Sequence, residues 1–380
     1  MEIKVLTNSE LIKFVESNVF SQLIDVPITP LRAISQYHNP KAKPDDPVLI
    51  IAFNEDQEVI AYVGCLPDQL ALAPEEKICW NSCWWTHPEK GKGASMPVFY
   101  KALQLWNAKM LFDGLPARSE AILRPLKFVH FEKIIGLRGF LRSKFHQIIL
   151  NRKPELKPFQ VLFKFFDGGI NLLLTPRFYL WKKRLEQSKL IIERIERVDS
   201  EVDQFIQQQS RKQLIQRTAN DLNWILDNPW LDQEKNKNAV FQKRYFFSAH
   251  TERLESHLFK IKNGDQLVAF VFLSDRDGTI TLPYFYCLSD HVEPVSKIIL
   301  HQLLLLKATT FLCYQTQLVP YFQKDTNPFF YAKKMSKTVG IPDALKIYFD
   351  QTPMIQDGDC LLYTSPSPRD QRGSRMPSSA

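Results

Sequence analysis

Glycine is scarce in this chain, 13 among 380 residues, so the pair Gly91 and Gly93 with one residue between them stands out from its background. Cysteine is scarce as well. The six, at positions 65, 79, 83, 287, 313 and 360, show none of the close repeated spacings of a disulfide frame or a zinc knuckle. Cys79 and Cys83 come nearest, but four strand residues separate them by roughly 13 Å, too far to share a metal. His250 and His257 lack a third ligand at useful spacing, so no metal is expected. Long apolar runs are missing too. Val161 to Trp181 is broken by Lys164, Asp167 and Arg177, and Ile298 to Tyr314 by His301, Gln302 and Lys307, so no spanning helix is expected. The opening MEIKVLTNSELIKF mixes charge into its apolar residues and has no signal-peptide core. Together with the cysteine usage, this leads to the expectation of a reducing, cytoplasmic location.

What is present is globular composition, 44% hydrophobic and 24% charged. The length suggests two domains, each able to bury a core. From Cys360 the apolar periodicity ends in CLLYTSPSPRDQRGSRMPSSA, a Ser, Pro and Arg composition typical of a disordered tail. CLLYTSPSPRD followed by SRMPSSA also resembles the conceptual translation of a sequencing-library transposon adapter. Residues 360–380 are therefore expected to be artefact, with the native gene cut near Asp359. Setting them aside removes Arg369, Arg372, Arg375 and Asp370, which lowers the formal charge of +8 by two.

Along the chain, Met1 to Thr7 alternates like a strand, and Asn8-Ser9-Glu10 before Leu11, Phe14 and Val15 reads as a helix start. A polar, proline-bearing loop follows to Pro47. Two β-rich runs then flank Asn54 to Gln57 as a hairpin, and Lys77 to Thr86 supplies a fourth strand. His87 to Ser95 is a glycine loop, Met96 to Ala108 a helix and Lys109 to Leu115 a fifth strand. Gly168-Gly169 and Pro176 mark turns, and Phe178 to Glu186 is a charged helix before a linker. Leu190 to Val198, a helix over Val202 to Gln213, an Asn-Pro-Trp turn at Trp230, three strands between His257 and Tyr286, a helix at Pro294 to Lys307 and a strand at Thr309 to Tyr314 repeat the first order of elements.

Chemistry concentrates between Trp84 and Ser95. A strand, a loop of small residues and then an amphipathic helix let successive N–H groups and a helix N-terminus meet a phosphate, and Lys90 and Lys92 add full charges. A Walker loop would need Lys and then Ser or Thr after its last Gly, which is absent. A dinucleotide fingerprint would need to leave the first strand of a βαβ unit, whereas this loop follows three antiparallel-looking strands.

Lys90-Gly91-Lys92-Gly93-Ala94-Ser95 resembles the pyrophosphate loop of the GNAT family of acyl-CoA-dependent N-acyltransferases, with Lys90 for the usual Arg. The resemblance covers residues 1–142 with a motif and 190–331 by topology only. It implies an α/β fold of two GNAT-like domains, each a mixed, mostly antiparallel sheet flanked by helices. The divisions would be residues 1–150 with the loop, a helical linker at 151–189, a degenerate second domain at 190–359, and the tail. It further implies acetyl-CoA or another acyl-CoA as cosubstrate, held by Trp84, Trp85, Thr86 and the six loop residues Lys90, Gly91, Lys92, Gly93, Ala94 and Ser95. The acceptor would be a small-molecule or polymer-linked amine that attacks the thioester directly.

The sequence departs from that family in places. The segment from Pro88 to Gly91 is one residue short. Where many members place a Tyr as general acid, this chain has Phe131-Glu132-Lys133, so His130 becomes the candidate acid, or else a satisfied structural histidine. No carboxylate lies in the fourth strand. Glu75 or Glu76 before it and His87 after it are the candidate bases, and His87 can also be a simple turn residue. Trp80, Trp84 and Trp85 read as core or cleft wall rather than substrate stackers.

In the second half, Ser289 to Pro294 puts acidic charge where pyrophosphate would sit, so that half is expected to shape the acceptor cleft. Residues 127–164 hold nine Lys or Arg against two Glu, with six interleaved Phe. This is a solvated basic face, an anion-attracting surface or a peripheral membrane contact, and no RNA-binding motif is present. The rivals to an N-acyltransferase are a non-catalytic binding module and an aminoacyl-tRNA-dependent transferase on a similar fold.

Overall fold

The computed structural model describes residues 1–186, 189–209, 213–215, 217–233, 239–324, 327–351 and 354–359. The expected artefactual tail at 360–380 lies outside them. In chain order the elements are β1 (Glu2–Thr7), α1 (Leu11–Val15), α2 (Asn18–Gln22), α3 (Pro30–Tyr37), β2 (Pro47–Phe53), β3 (Val59–Gln69), β4 (Lys77–Thr86), α4 (Ser95–Leu105), β5 (Met110–Leu111), α5 (Ala117–Leu123), β6 (Val129–Phe140), α6 (Phe145–Arg152) and α7 (Gln160–Leu185). There follow β7 (Ile191–Ile195), α8 (Ser200–Gln209), α9 (Ala219–Asp227), α10 (Ala239–Arg244), β8 (Leu254–Asn263), β9 (Gln266–Arg276), β10 (Thr279–Cys287), α11 (Val292–Leu305), β11 (Thr310–Cys313), α12 (Val319–Phe322), β12 (Tyr331–Pro342) and α13 (Lys346–Gln351). The fold is α/β, with two mixed, mostly antiparallel sheets ordered β1-β2-β3-β4-β5 and β12-β6-β11-β10-β9-β8-β7.

Two compact units divide the described residues: those within 1–133, 197–252 and 337–359, and those within 134–196 and 253–336. In the first unit β2 and β3 are buried almost without a break, because both faces of their sheet are covered. Leu49, Ile51 and Tyr62 face a cluster with Leu11, Phe14, Phe20 and Ala33 from α1 to α3. Ile50, Ala61 and Val63 face Val98, Phe99 and Ala102 of α4. Helix α3 starts where Thr29 accepts the Arg32 N–H and Pro30 takes the first helical position, where its missing N–H costs nothing.

In the second unit Ile261, Val271, Leu273 and Phe285 pack against Val295, Ile299 and Leu303 of α11. Within that unit β7, β8, β9, β10, α11 and β11 follow one another as β1, β2, β3, β4, α4 and β5 do in the first, and β10 runs parallel to β11 as β4 does to β5.

Two expectations about local structure need correction. Gly168, Gly169 and Pro176 do not mark turns, and Phe178 to Glu186 is not a separate helix. All lie on the 26-residue α7, whose Leu174, Phe178, Trp181 and Leu185 pack on the second unit's core. That tertiary burial outweighs the local cost of Gly and Pro inside the helix. The fifth strand is also shorter than expected, two residues rather than seven, because Phe112 leaves β4 and bridges Gly340 instead.

Candidate functional site

β4 and β5 touch only at their start. Cys79 pairs with Met110 and Trp80 with Leu111, and from Asn81 to Thr86 β4 has no strand partner on that side among the described residues. On its other side β4 stays paired with β3 to Thr86, through a register shift between Gly64 and Cys65 that leaves Ser82 as an extra residue, a β-bulge. The His87 N–H donates to the Ile60 carbonyl at 2.8 Å. Hydrogen-bonded and non-bonded pairs alternate along an antiparallel ladder, so Trp85 and Cys83 also bond toward β3. Trp84 and Thr86 therefore turn their peptide groups to the vacated edge.

The loop after β4 is closed by its own backbone. Gly91 N–H donates to His87 O and Ala94 N–H to Gly91 O, both at 3.0 Å. A Cβ at Gly91 would lie 2.4 Å from Thr86 Cγ2, 2.6 Å from Ile60 O and 2.7 Å from His87 O, so only glycine fits. Gly93 has open space around it but φ of +80°, the left-handed region that glycine reaches without strain. Helix α4 then begins at Ser95 with Ala94 at its N-cap and no side chain capping its first N–H groups. Those donors and the exposed Lys92 and Gly93 form an anion-favouring end to the loop.

The side chains are committed in ways the sequence did not reveal. His87 Nδ1 accepts the N–H groups of Glu89 and Lys90 at 3.2 and 3.1 Å, so in the neutral ring the proton sits on Nε2, 4.0 Å from Asp25 Oδ2. Burial pushes the Asp25 carboxyl up. His87 thus organises the loop and presents a donor. Lys90 donates to both oxygens of Glu58 at 2.6 and 2.7 Å, which holds Glu58 below the usual carboxylate range. Trp84 stacks on Phe99 at 4.5 Å and donates to Ser95 Oγ at 3.1 Å, tying β4 to α4. Trp85 points to the other face and stacks on Tyr62 at 5.1 Å.

The candidate proton-transfer residues are not all brought together. Glu76 pairs with Lys109 at the start of β4. It lies on the order of 30 Å of extended strand from His87 at the end. His130 Nε2 is 2.7 Å from Asp343 at the beginning of β6. Among the described residues no cluster of three or more His, Cys, Asp or Glu is placed to hold a metal.

Sequence reasoning missed a buried polar cluster at the bulge. Arg32, 1% exposed, donates to Tyr245 Oη at 2.8 Å and to the Ser82 carbonyl at 3.1 Å, and lies over the rings of Trp230 and Tyr245. Among the described residues the Tyr62 hydroxyl is buried there without a hydrogen-bond partner, and the Ser82 hydroxyl lies against the Cys83 thiol. Burial pushes the Tyr62 phenol well above its ordinary value and raises the Cys83 thiol, which favours the neutral form of both. The only signal in the sequence was an arginine inside the apolar run of α3, with its partner 213 residues away.

No protein-family model matches this sequence, and no curated protein matches it in sequence. Among solved structures, the chain is similar to a GCN5-related N-acetyltransferase from Anabaena variabilis, at 10% identity over 89% of this chain and 72% of that one, with a TM-score of 0.44. A probable N-acyltransferase from Enterococcus faecalis aligns at 12% identity over 92% and 74%, TM-score 0.49. Saccharomyces cerevisiae N-myristoyltransferase with bound myristoyl-CoA aligns at 11% over 90% and 78%, TM-score 0.44.

Proposed function

We propose that the protein is an acyl-CoA-dependent N-acyltransferase of two GNAT-like halves, the first of which binds the acyl-CoA. The observation that carries this reading is the edge of β4 left free by β5 from Asn81 onward, ending in the glycine loop and the uncapped start of α4. An extended pantetheine arm takes the place of the missing strand against the peptide groups of Trp84 and Thr86. The pyrophosphate meets the N–H groups around Lys92 to Ser95, and the thioester falls beside the bulge at Ser82 and Cys83. There the neutral amine acceptor attacks the acyl carbonyl, the C–N bond forms as the C–S bond breaks, and the proton that the amine gives up ends on the departing sulfur, which leaves as the free thiol.

Tyr62 is a neutral hydroxyl at the bulge, and in this reading it donates to the acyl oxygen or to the departing sulfur. With this assignment Glu76 takes no part in the chemistry, and His87 acts by shaping the loop. The test is release of free thiol from acetyl-CoA in the presence of a panel of small amines. Amine-dependent release, reduced on the order of 10²-fold in Tyr62→Phe, supports the assignment.

A second reading, a ligand-binding module without turnover, is favoured by the separation of Glu76 from His87 and by the engagement of His87 Nδ1. It predicts CoA binding with no thiol release from any amine tested.

A further inference from the structure

We propose that the outward half of α7 docks on an anionic lipid bilayer. This inference stands without the acyltransferase reading. The expected basic and aromatic stretch at 127–164 takes in only the first five residues of α7, and the exposed apolar surface lies mostly beyond it.

One stripe of α7 faces its own unit: Leu174, Phe178, Trp181 and Leu185 pack on the core. Asp167, about two turns earlier on the same side, accepts the N–H groups of Phe145 and His146 at 2.9 and 3.0 Å. The opposite side should be polar on a solvated helix. Instead Phe165 is 77% exposed, Leu172 73%, Leu173 82%, Tyr179 69% and Leu180 66%. These residues recur at helical spacing, and from Val161 to Leu180 they form an apolar face about 30 Å long. A continuous exposed patch of that kind marks an interaction surface.

Charge chooses the occupant. Between residues 160 and 185 the one acid is Asp167, which is buried, whereas Lys164, Arg177, Lys182, Lys183 and Arg184 are exposed. At about 100° per residue, Lys164 and Lys182 fall along one flank of the apolar face and Arg177 and Arg184 along the other. Two copies meeting on this face would oppose these cations to one another. An anionic membrane surface satisfies both features, with apolar side chains inserted below the headgroups and the flanking cations at phosphate level. No helix among the described residues is long and apolar enough to cross a membrane, so the geometry points to a helix lying in the interface plane.

The experiment is cosedimentation of the full chain with vesicles of phosphatidylcholine alone and of phosphatidylcholine with about 30% phosphatidylglycerol. Partitioning at least about ten-fold stronger into the anionic vesicles, weakened by salt, is expected. The double variant Phe165→Asp/Leu173→Asp should lose at least about ten-fold in partitioning with its melting temperature unchanged, since both side chains are exposed. A Lys164→Glu/Lys182→Glu variant should lose the preference for anionic lipid. Failure of the wild type to bind either vesicle, or unchanged binding by the aspartate variant, overturns the proposal. So does light scattering that shows a lipid-free dimer dissociated by the aspartate substitutions, because the face would then be a self-interface.

Discussion

Gly91 and Gly93 are held to glycine by different physics, and the two substitutions separate accordingly. At Gly91 an added methyl group meets two carbonyl oxygens and a threonine methyl, so Gly91→Ala should destabilise the first unit by about 1–3 kcal/mol, seen as a lower melting temperature. At Gly93 there is space but a left-handed backbone, so a side chain there costs about 1–2 kcal/mol and chiefly obstructs the face of the loop. His87→Ala removes the acceptor for two loop amides and should weaken CoA binding more than it lowers stability; equal CoA affinity in the variant would refute its organising role. The glycines were legible in the sequence because their meaning is local, whereas the bonds from the Glu89 and Lys90 amides to the His87 ring were not. Arg32, Tyr62, Ser82 and Tyr245 were not, because their contacts join residues far apart in the chain and no spacing rule reports them.

At the scale of elements, the strand and helix order of the first unit was readable from alternation and from the glycine loop, and Lys77 to Thr86 is a strand to the residue. What could not be read is where β5 stops. That depends on Phe112 finding Gly340, more than two hundred residues later, and on the peptide partners this denies to β4. The tie between β4 and α4 is likewise tertiary. Trp84→Ala deletes the stack on Phe99 and the bond to Ser95, and should cost about 3 kcal/mol, the lower end for a large aromatic because Trp84 is only partly buried. Denaturant unfolding measures it, and a loss under 1 kcal/mol would contradict the packing described. Helix α7 shows the reverse error: glycine and proline suggested breaks that burial of Leu174, Phe178, Trp181 and Leu185 overrides.

At the scale of the molecule, the first unit gathers three separate stretches of chain, and its last stretch is anchored by buried charge. Arg217 binds Asp68 and Asp359, and Lys337 binds Asp113 and Asp357, each cation against two carboxylates. Burial raises Asp359 to about 7 and Asp357 to about 6, and their attraction to Arg217 and Lys337 does not fully reverse it. A carboxyl raised in the folded chain keeps its proton where the unfolded chain has lost it. Stability from these groups is therefore greatest at low pH, falls as pH rises from about 4 toward 7, and levels off above. Asp359→Asn should flatten part of that fall in melting temperature between pH 5 and pH 8, and an unchanged slope would show that Asp359 is ionised throughout.

The most direct test of the central claim, that the free edge of β4 and its glycine loop form an acyl-CoA site, is calorimetric titration of acetyl-CoA and CoA into the wild-type protein and Gly93→Asp. Micromolar binding lost in a variant that still melts as a folded protein is the predicted result. No binding by the folded wild type, or equal binding by both proteins, would contradict it.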